Sequence, residues 1–169
     1  MMKTDYEDTG LAQLFGMPFV VLRKPVPFDT TTLNFNWQVW DTKAFSLYSR
    51  STEKIDKKGA DMAIAAVCRF LSRMNVLNYN VYGGYESTVL IEEELVSLRS
   101  TASGLYIPHV KSFDSVERGQ VLADIIDPLT GVTVAQTEAP EDGIVFFAKD
   151  SPLVMENETL FKIVNKLHK

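Results

Sequence analysis

The spacing of hydrophobic and polar residues changes near residue 78 and divides the chain into two parts. In the first part, the uninterrupted apolar run at residues 19–22 predicts a strand buried on both faces. Apolar residues at helical spacing within residues 5–15 predict a short helix that ends before Gly16. The first part therefore begins with a helix and then a strand.

The strongest helix signal lies in residues 57–74, behind Asp56, a good N-cap residue. Apolar residues recur there at positions i, i+3, i+4, i+7 and i+10, which predicts an amphipathic helix with one buried stripe. The stripe consists of Ile64, Val67, Cys68, Leu71 and Met74. We expect Cys68 to belong to the core rather than to a site.

Two further strands are predicted between these elements. In residues 30–41, apolar and polar side chains alternate with the period of a strand, as in Phe35, Asn36 and Trp37. The apolar residues at 44–48 predict a second buried strand. Strands and helices in this order favour the end of an open α/β sheet.

After residue 87 the pattern predicts strands and no helix. Turn signals such as Asp127-Pro128 and Asp142-Gly143 separate the apolar stretches. The predicted strands cover residues 88–91, 95–98, 105–107, 121–126, 132–136, 144–147 and 160–164.

Residues 104–125 and 143–163 repeat one pattern at an offset of 38 or 39 residues. Each copy opens with a glycine, has Gly119 or Asn157 in its turn, and closes with Leu-x-x-Ile. Two interlocking copies would form a closed β unit without exposed strand edges. The repeat resembles the barrel-sandwich hybrid fold of biotinyl and lipoyl carrier domains. That resemblance implies a modified lysine on the hairpin between the copies, but no lysine lies there, which disfavours a carrier function.

Several ordered segments resemble the C-terminal half of the succinylglutamate desuccinylase/aspartoacylase family. They are FGMPFVV, NFNWQVWDTKAFSLYS, IDKKGADMAIAAVCRFLSRMNVL and EDGIVFFAKDSPLVMENETLFKIV. The resemblance implies a carboxypeptidase-like α/β domain with one zinc ion, held by a His-x-x-Glu pair and a distant histidine. It also implies hydrolysis of N-acyl amino acids by metal-activated water.

The zinc-binding motif itself is absent from the sequence. No His-x-x-Glu occurs, and His109 and His168 are the only histidines. A zinc site needs at least three converging ligands, so we expect no metal site within one chain and no cofactor in it. His109, beside Pro108, is interpreted as a surface or turn residue.

Catalytic and substrate-binding residues are assigned only as candidates. The family's Glu-Leu-Gly element corresponds to residues 47–50, so Tyr48 would replace its glutamate, and Glu53 is the nearest carboxylate downstream. Either could face the active site, and Arg50 could bind a substrate carboxylate through two parallel hydrogen bonds. The alternative interpretations are that Glu53 is a solvated loop carboxylate, Tyr48 a strand tyrosine and Arg50 a surface arginine.

Two other groups of residues are possible sites. The run Glu92-Glu93-Glu94 would point to alternating faces of a strand, which favours a solvated edge or turn over a metal site. The aromatic residues Phe35, Trp37, Trp40 and Phe45 could line a pocket, but core packing is the preferred interpretation.

Composition excludes several classes of function. The net charge is −5 with no extended basic run, so we expect no nucleic-acid partner. No apolar stretch approaches the roughly 20 residues that a membrane span needs, and the polar start does not resemble a secretion signal. With a single cysteine, these features predict a cytoplasmic protein without membrane association.

The sequence thus predicts an α+β protein with two domains. Residues 1–79 form the partial carboxypeptidase-like α/β domain, and residues 86–167 form the barrel-sandwich β module. The expected function is the C-terminal part of a zinc-dependent deacylase that is inactive alone. Its expected partner is an N-terminal half or a second copy of the chain, and the complete enzyme would bind an N-acyl amino acid. The alternative is a non-catalytic binding or interaction module.

Overall fold

The computed structural model describes residues 1–5, 7–48, 55–80 and 82–165. It separates into two compact units, which divide between Glu93 and Glu94. Among the described residues, unit 1 comprises those up to residue 93 and unit 2 those from 94 to 165. No helix in these described ranges has the length and hydrophobicity needed to cross a membrane.

Unit 1 combines short helices with a small parallel sheet. Its elements are α1 (Thr9–Gln13), β1 (Phe19–Leu22), a 3-10 helix (Pro27–Thr31), α2 (Leu33–Val39), α3 (Lys57–Arg73) and β2 (Thr88–Ile91), and a 3-10 turn (Glu92–Glu94) follows β2. The predicted strand β1 and the predicted helix α3 are confirmed. Asp56 caps α3 by accepting a hydrogen bond from the backbone N–H of Gly59 at 3.0 Å.

The parallel sheet has β1 at its centre. β2 pairs with one edge of β1, in a register that runs from Phe19 opposite Thr88 to Leu22 opposite Ile91. On the other edge, Met2 forms a parallel bridge with Arg23. Both edges of β1 are therefore engaged at least in part.

The predicted strand at residues 30–41 is wrong. Pro27 begins a 3-10 helix there, and the hydroxyl of Thr32 then caps α2 by accepting from the N–H of Phe35 at 3.3 Å. Local capping chemistry thus outweighed the alternating pattern. The predicted strand at residues 44–48 is also wrong, and this stretch contributes the ring of Phe45, which packs edge-on against Phe15 at 5.5 Å.

The orientation of α3 differs from the prediction. Ile64 is 63% exposed, and Val67 and Met74 are also exposed, while Cys68 is half-buried. The helix packs through its opposite face, where Ala66 is fully buried and Phe70 stacks on Phe15 at 4.3 Å. Ile64, Val67 and Met74 are therefore not part of the core of unit 1, while Cys68 and Leu71 of the same stripe are half-buried.

Unit 2 contains eight strands in two antiparallel sheets of four. The strands are β3 (Val96–Arg99), β4 (Gly104–Pro108), β5 (Ser115–Val116), β6 (Val121–Ile126), β7 (Thr133–Glu138), β8 (Gly143–Ala148), β9 (Leu153–Val154) and β10 (Thr159–Asn165). The strand orders are β3-β10-β8-β5 and β7-β6-β4-β9. The sequence predicted all of these strands except the two-residue β5 and β9.

The sequence repeat is a repeat of structure, and its two copies interlock. Gly104 of the first copy pairs with Val154 of the second, and Gly143 of the second pairs with Val116 of the first. The turn residues Gly119 and Asn157 have φ angles of +80° and +66°, as the pattern predicted. Each sheet thus takes strands from both copies.

The repeat extends further upstream than the sequence pattern indicated. Arg99 of β3 pairs with Thr159, and Glu138 of β7 pairs with Val121, which are equivalent positions 38 or 39 residues apart. The sequences of β3 and β7 are not visibly similar. Each strand is half-exposed, so core packing constrains few of its residues, and the two strands have only their pairing register in common.

The core of unit 2 lies between the sheets. Closing residues of the two copies, Leu122 and Ile125 with Leu160 and Ile163, are fully buried there. Phe161 is the largest fully buried side chain there.

Candidate functional site

The carboxyl ends of the two parallel strands bring charged residues together in unit 1. In open α/β sheets, ligands bind at this edge. β1 runs directly into Arg23 and Lys24, and β2 runs into Glu92 and Glu93. Lys24 forms an exposed ion pair with Glu93 at 3.6 Å.

Arg23 and Asp29 form a two-pronged ion pair at this edge. The Nη1 and Nη2 atoms of Arg23 donate to the two carboxylate oxygens of Asp29 at 2.6 and 2.5 Å. The backbone N–H of Val26 donates to the same carboxylate at 2.7 Å. The hydrogen bond from Arg23 is the main reason that the pKa of Asp29 falls to about 2. With both terminal nitrogens engaged, Arg23 holds the loop after β1 in place.

Two further residues act on Arg23 electrostatically. Its pKa is raised first by the hydrogen bond to Asp29, and smaller contributions come from Glu92 and Tyr48. Tyr48, a candidate from the sequence, is 75% exposed and lies close enough to Arg23 to contribute to this effect. The other two candidates, Arg50 and Glu53, lie outside the described residues.

A buried polar group lies next to this edge. The side chain of Gln38 is 1% exposed, and its amide nitrogen donates to the carbonyl of Met2 at 3.4 Å. Its Oε1 atom has no hydrogen-bond partner among the described residues, and neither does the hydroxyl of Thr4. An unpaired buried acceptor costs free energy, so these atoms mark an environment that lacks a donor.

Two arginines of α3 fix the segment that leads to β2. Arg69 donates to the carbonyls of Phe15 and Tyr82 at 3.0 and 3.2 Å, and Arg73 donates to that of Gly83 at 2.7 Å. An open cavity of about 450 Å³ lies beside Arg73 and is lined mainly by residues 83–87. The segment before β2 is therefore held by side chains of α3 at Tyr82 and Gly83.

His109 lies in unit 2 and pairs with a carboxylate there. It follows β4, and its Nε2 lies 2.8 Å from Oδ2 of Asp124 on the neighbouring strand β6. Gln136 donates to the other oxygen of Asp124 at 2.8 Å, and these two contacts, that of Gln136 first, lower the pKa of the carboxyl. Sequence spacing could not show this pairing, because it crosses two antiparallel strands. His168 lies outside the described residues.

The other candidate groups have separate positions. Glu92, Glu93 and Glu94 form a 3-10 turn rather than a strand, and the last two are exposed. Core packing was the wrong expectation for Trp37 and Trp40, since Trp40 is 82% exposed.

The described residues do not fit a zinc ion by themselves. No group of three or more His, Cys, Asp or Glu side chains in that part of the chain is placed to hold a metal ion. His109 and Asp124 provide two donors, and a zinc site needs at least three protein ligands.

Arg23 and Asp29 were not predicted from the sequence. The available signal was the position of a charged residue directly after a continuous apolar strand, where α/β proteins place binding residues. Asp29 could not be assigned as its partner, because nothing in the sequence predicted the 3-10 helix at Pro27–Thr31 that brings it to Arg23.

The structure defines a class of fold. It is a mixed α+β fold with a small parallel sheet and two antiparallel sheets, and it matches the C-terminal portion of solved succinylglutamate desuccinylase/aspartoacylase structures. The resemblance seen in the sequence is thereby confirmed at the level of fold. No family model and no curated protein matches the sequence.

Three of the solved structures that match come from bacteria. For the succinylglutamatedesuccinylase/aspartoacylase from Rhodobacter sphaeroides, the TM-score is 0.75 at 14% identity, over 95% of this chain and 49% of that chain. For the product-bound ectoine utilization protein EutE (DoeB) from Ruegeria pomeroyi, the TM-score is 0.72 at 13% identity, over 94% and 48%. For a succinylglutamate desuccinylase from Silicibacter sp. TM1040, it is 0.71 at 14% identity, over 92% and 48%. The chain spans about half the length of these relatives.

Proposed function

We propose that this chain is the C-terminal part of a zinc-dependent hydrolase that cleaves amide bonds of small N-acyl amino acids. The observation that carries the proposal is the structural match over 95% of the chain to about half of a succinylglutamatedesuccinylase/aspartoacylase. In this interpretation, unit 1 belongs to a carboxypeptidase-like α/β domain and unit 2 is a barrel-sandwich module. The interlocked repeat of unit 2 supports the second assignment.

The zinc ligands of such an enzyme would lie in the half that this chain does not span. This chain would contribute the carboxyl edge of the parallel sheet, where Arg23 and Asp29 hold the loop after β1. Tyr48 and Glu53 are the candidates for proton transfer, and Arg50 is the candidate for binding the carboxylate of the substrate. The proximity of Tyr48 to Arg23 supports its placement near this edge.

Metal content and hydrolysis, measured on one sample, test the proposal. The purified chain is incubated with zinc, desalted, analysed for metal by mass spectrometry, and assayed on a panel of N-acyl amino acids. We expect neither stoichiometric zinc nor hydrolysis from the chain alone, and both once the missing half is supplied. Zinc and activity in the isolated chain would contradict the assignment of the ligands to the other half. A zinc-loaded assembly that cleaves none of the N-acyl amino acids would contradict the proposal that the assembled protein is an amide hydrolase.

Substitutions in the assembled protein then separate the candidate roles. Glu53→Gln should lower kcat by roughly 10²- to 10⁴-fold if Glu53 transfers the proton, and Tyr48→Phe should do so if Tyr48 does. Arg50→Met should raise KM by roughly tenfold to a hundredfold with a smaller change in kcat, because a charge-assisted contact to the substrate is lost. Lys58→Gln is a control, since Lys58 is an exposed residue of α3 and is not one of the residues at this edge.

A further inference from the structure

The interlocked copies leave four edge strands in the described part of unit 2, and β7 is the longest of them. Its sheet has the order β7-β6-β4-β9, and β3 and β5 are the edges of the other sheet. β5 and β9 have two residues each, and β3 has four. β7 has six, Thr133–Glu138, and among the described residues it pairs with β6 alone. The other side of β7 therefore presents backbone N–H and C=O groups to a further strand.

β7 lacks most of the features that protect an edge strand from pairing with another chain. Such strands commonly carry lysine or proline, or charges that point inward. β7 has neither lysine nor proline, and Glu138, its only charged residue, is its last. A register shift leaves Val134 as an extra residue opposite β6, which bends the start of the strand. The residues from Ala135 to Glu138 follow one another without such an interruption in β7.

The side chains in the middle of β7 alternate between the two faces of the sheet. Ala135 packs against the core of unit 2. Gln136 points to the opposite, outer face, where it is exposed and its amide donates to Asp124 of β6 at 2.8 Å. Thr137 is half-buried. This short uncharged stretch is suited to lie beside another strand without bringing like charges together.

A second copy of this chain meets the geometric requirements of this edge. Two identical edge strands related by a twofold axis run antiparallel. The pairings of β7 with β6 and of β6 with β4 are also antiparallel, so the added strand would continue the pattern of the sheet. Directly opposite side chains in an antiparallel pair point to the same face, so one residue must lie opposite its own copy at the axis.

Gln136 is the residue of β7 that suits the position at the axis. It is central in the stretch 134–138, so an axis there uses all five residues. An axis at Thr137 would bring Ala139 into the pairing, but the N–H of Ala139 already donates to the carbonyl of Gln120 at 2.9 Å. An axis at Ala135 would place the extra residue Val134 directly beside the centre of the pairing.

We propose that β7 pairs with β7 of a second copy of this chain, so that two four-stranded sheets form one antiparallel sheet of eight strands. The twofold axis passes beside Gln136. Ala135 then lies opposite Thr137 of the second copy and Val134 lies opposite Glu138, so no like charges oppose each other. Unit 2 alone provides this surface, and the pairing therefore does not depend on the proposed hydrolase activity.

Sedimentation of the purified chain over a range of concentrations tests the pairing, and we expect a reversible monomer–dimer equilibrium. Gln136→Lys places two ammonium groups opposite each other at the axis and should weaken dimerisation about tenfold or more. The new lysine lies next to Asp124, so we expect no fall in melting temperature. Ser115→Lys places the same charge at an exposed position of edge strand β5 and should leave the equilibrium unchanged.

Two results of this experiment would overturn the proposal. One is a chain that is monomeric at every concentration. The other is a dimer that Gln136→Lys weakens no more than Ser115→Lys does, because the contact would then lie elsewhere on the chain.

Charge exchange at the axis tests its position. Gln136→Glu should also weaken dimerisation, because it places two carboxylates opposite each other. An equal mixture of the Gln136→Lys and Gln136→Glu chains should regain dimers that contain one chain of each kind. A mixture that forms no such dimers would overturn the assignment of the axis to Gln136.

Cross-linking in the cells that produce the protein identifies what pairs with β7 there. In a Cys68→Ser background, Gln136→Cys supplies a single thiol, and directly opposite residues have Cβ atoms about 4.5–5.5 Å apart. A short bismaleimide should therefore yield a product of twice the 19.0 kDa of this chain. The same treatment of Ser115→Cys in that background should yield none. A product with a different polypeptide, or no product from Gln136→Cys, would overturn the proposal.

Discussion

Gly104 and Gly143 meet the same steric limit in the two copies of one β structure. A Cβ atom at Gly104 would lie 2.5 Å from the carbonyl oxygen of Ile126, and one at Gly143 would lie 2.7 Å from that of Val164. Ile126 and Val164 are themselves equivalent positions of the repeat, 38 residues apart. The glycines are therefore required by the close approach of backbones rather than by turn geometry.

Replacement of either glycine should destabilise unit 2. Gly104→Ala and Gly143→Ala force the backbone to shift, and we expect each to lower the free energy of unfolding by about 1–3 kcal/mol. Chemical denaturation followed by far-ultraviolet circular dichroism measures the change. Gly119→Asn is the control, because Asn157 adopts a similar positive φ at the equivalent position and no atom lies within 4 Å of a Cβ at Gly119. A control as damaging as the alanine variants would contradict the steric explanation.

Removal of the Tyr106 hydroxyl should not destabilise unit 2. Tyr106 is buried against Phe161, and its hydroxyl has no partner among the described residues. Because Tyr106→Phe removes an unpaired polar group, we expect the free energy of unfolding to stay equal or to rise by up to about 1 kcal/mol. A clear loss of stability in urea denaturation would show that the hydroxyl is satisfied in solution.

The same residue predicts a response to high pH. Burial raises the pKa of Tyr106 above its usual value of about 10. The folded state therefore holds the proton more tightly than the unfolded state, so this stability is fully present below about pH 10 and is lost as the pH rises further. Melting temperatures measured from about pH 8 to about pH 11.5 should fall less steeply for Tyr106→Phe than for the unmodified chain.

The Arg23–Asp29 pair predicts a response to low pH. The pKa of Asp29 is about 2 in the folded chain, below the value of about 3.9 expected when the chain is unfolded. The pair therefore stabilises unit 1 above about pH 4, and this contribution is lost as the pH falls through about 2. Asp29→Asn should lower the melting temperature at about pH 7 and have little effect near pH 2. An equal effect at both values would mean that the charge of Asp29 is not the cause.

Arg69 should be required for order in the segment before β2. It donates to the carbonyls of Phe15 and Tyr82, which a leucine cannot do. We expect Arg69→Leu to lower the free energy of unfolding by about 1–3 kcal/mol and to speed amide hydrogen exchange in residues 82–87. Arg69→Lys keeps the charge but loses the planar guanidinium group. Its free energy of unfolding and its exchange rate should lie between those of the unmodified chain and those of Arg69→Leu. Unchanged exchange in Arg69→Leu would show that the segment is held by other contacts.

The local pattern of the sequence by itself determined most of unit 2. Apolar runs between turn signals were enough to place six strands of this unit, and the repeat of glycine, turn residue and Leu-x-x-Ile predicted the interlocking. The N-cap Asp56 and the length of α3 were likewise readable, because capping and helical periodicity act over a few neighbouring residues.

Tertiary structure decided the rest, for physical reasons that a single sequence does not contain. The alternation around Trp37 predicted a strand, but a strand needs a partner with a free edge, and β1 is engaged on both sides at least in part. Which face of α3 packs inward depends on the elements that contact the helix. Ile64, Val67 and Met74 of its apolar stripe are therefore exposed, while Arg69 is buried. The ion pair of Arg23 with Asp29 and the hydrogen bond between His109 and Asp124 arise from turns and strand pairing that bring distant residues together.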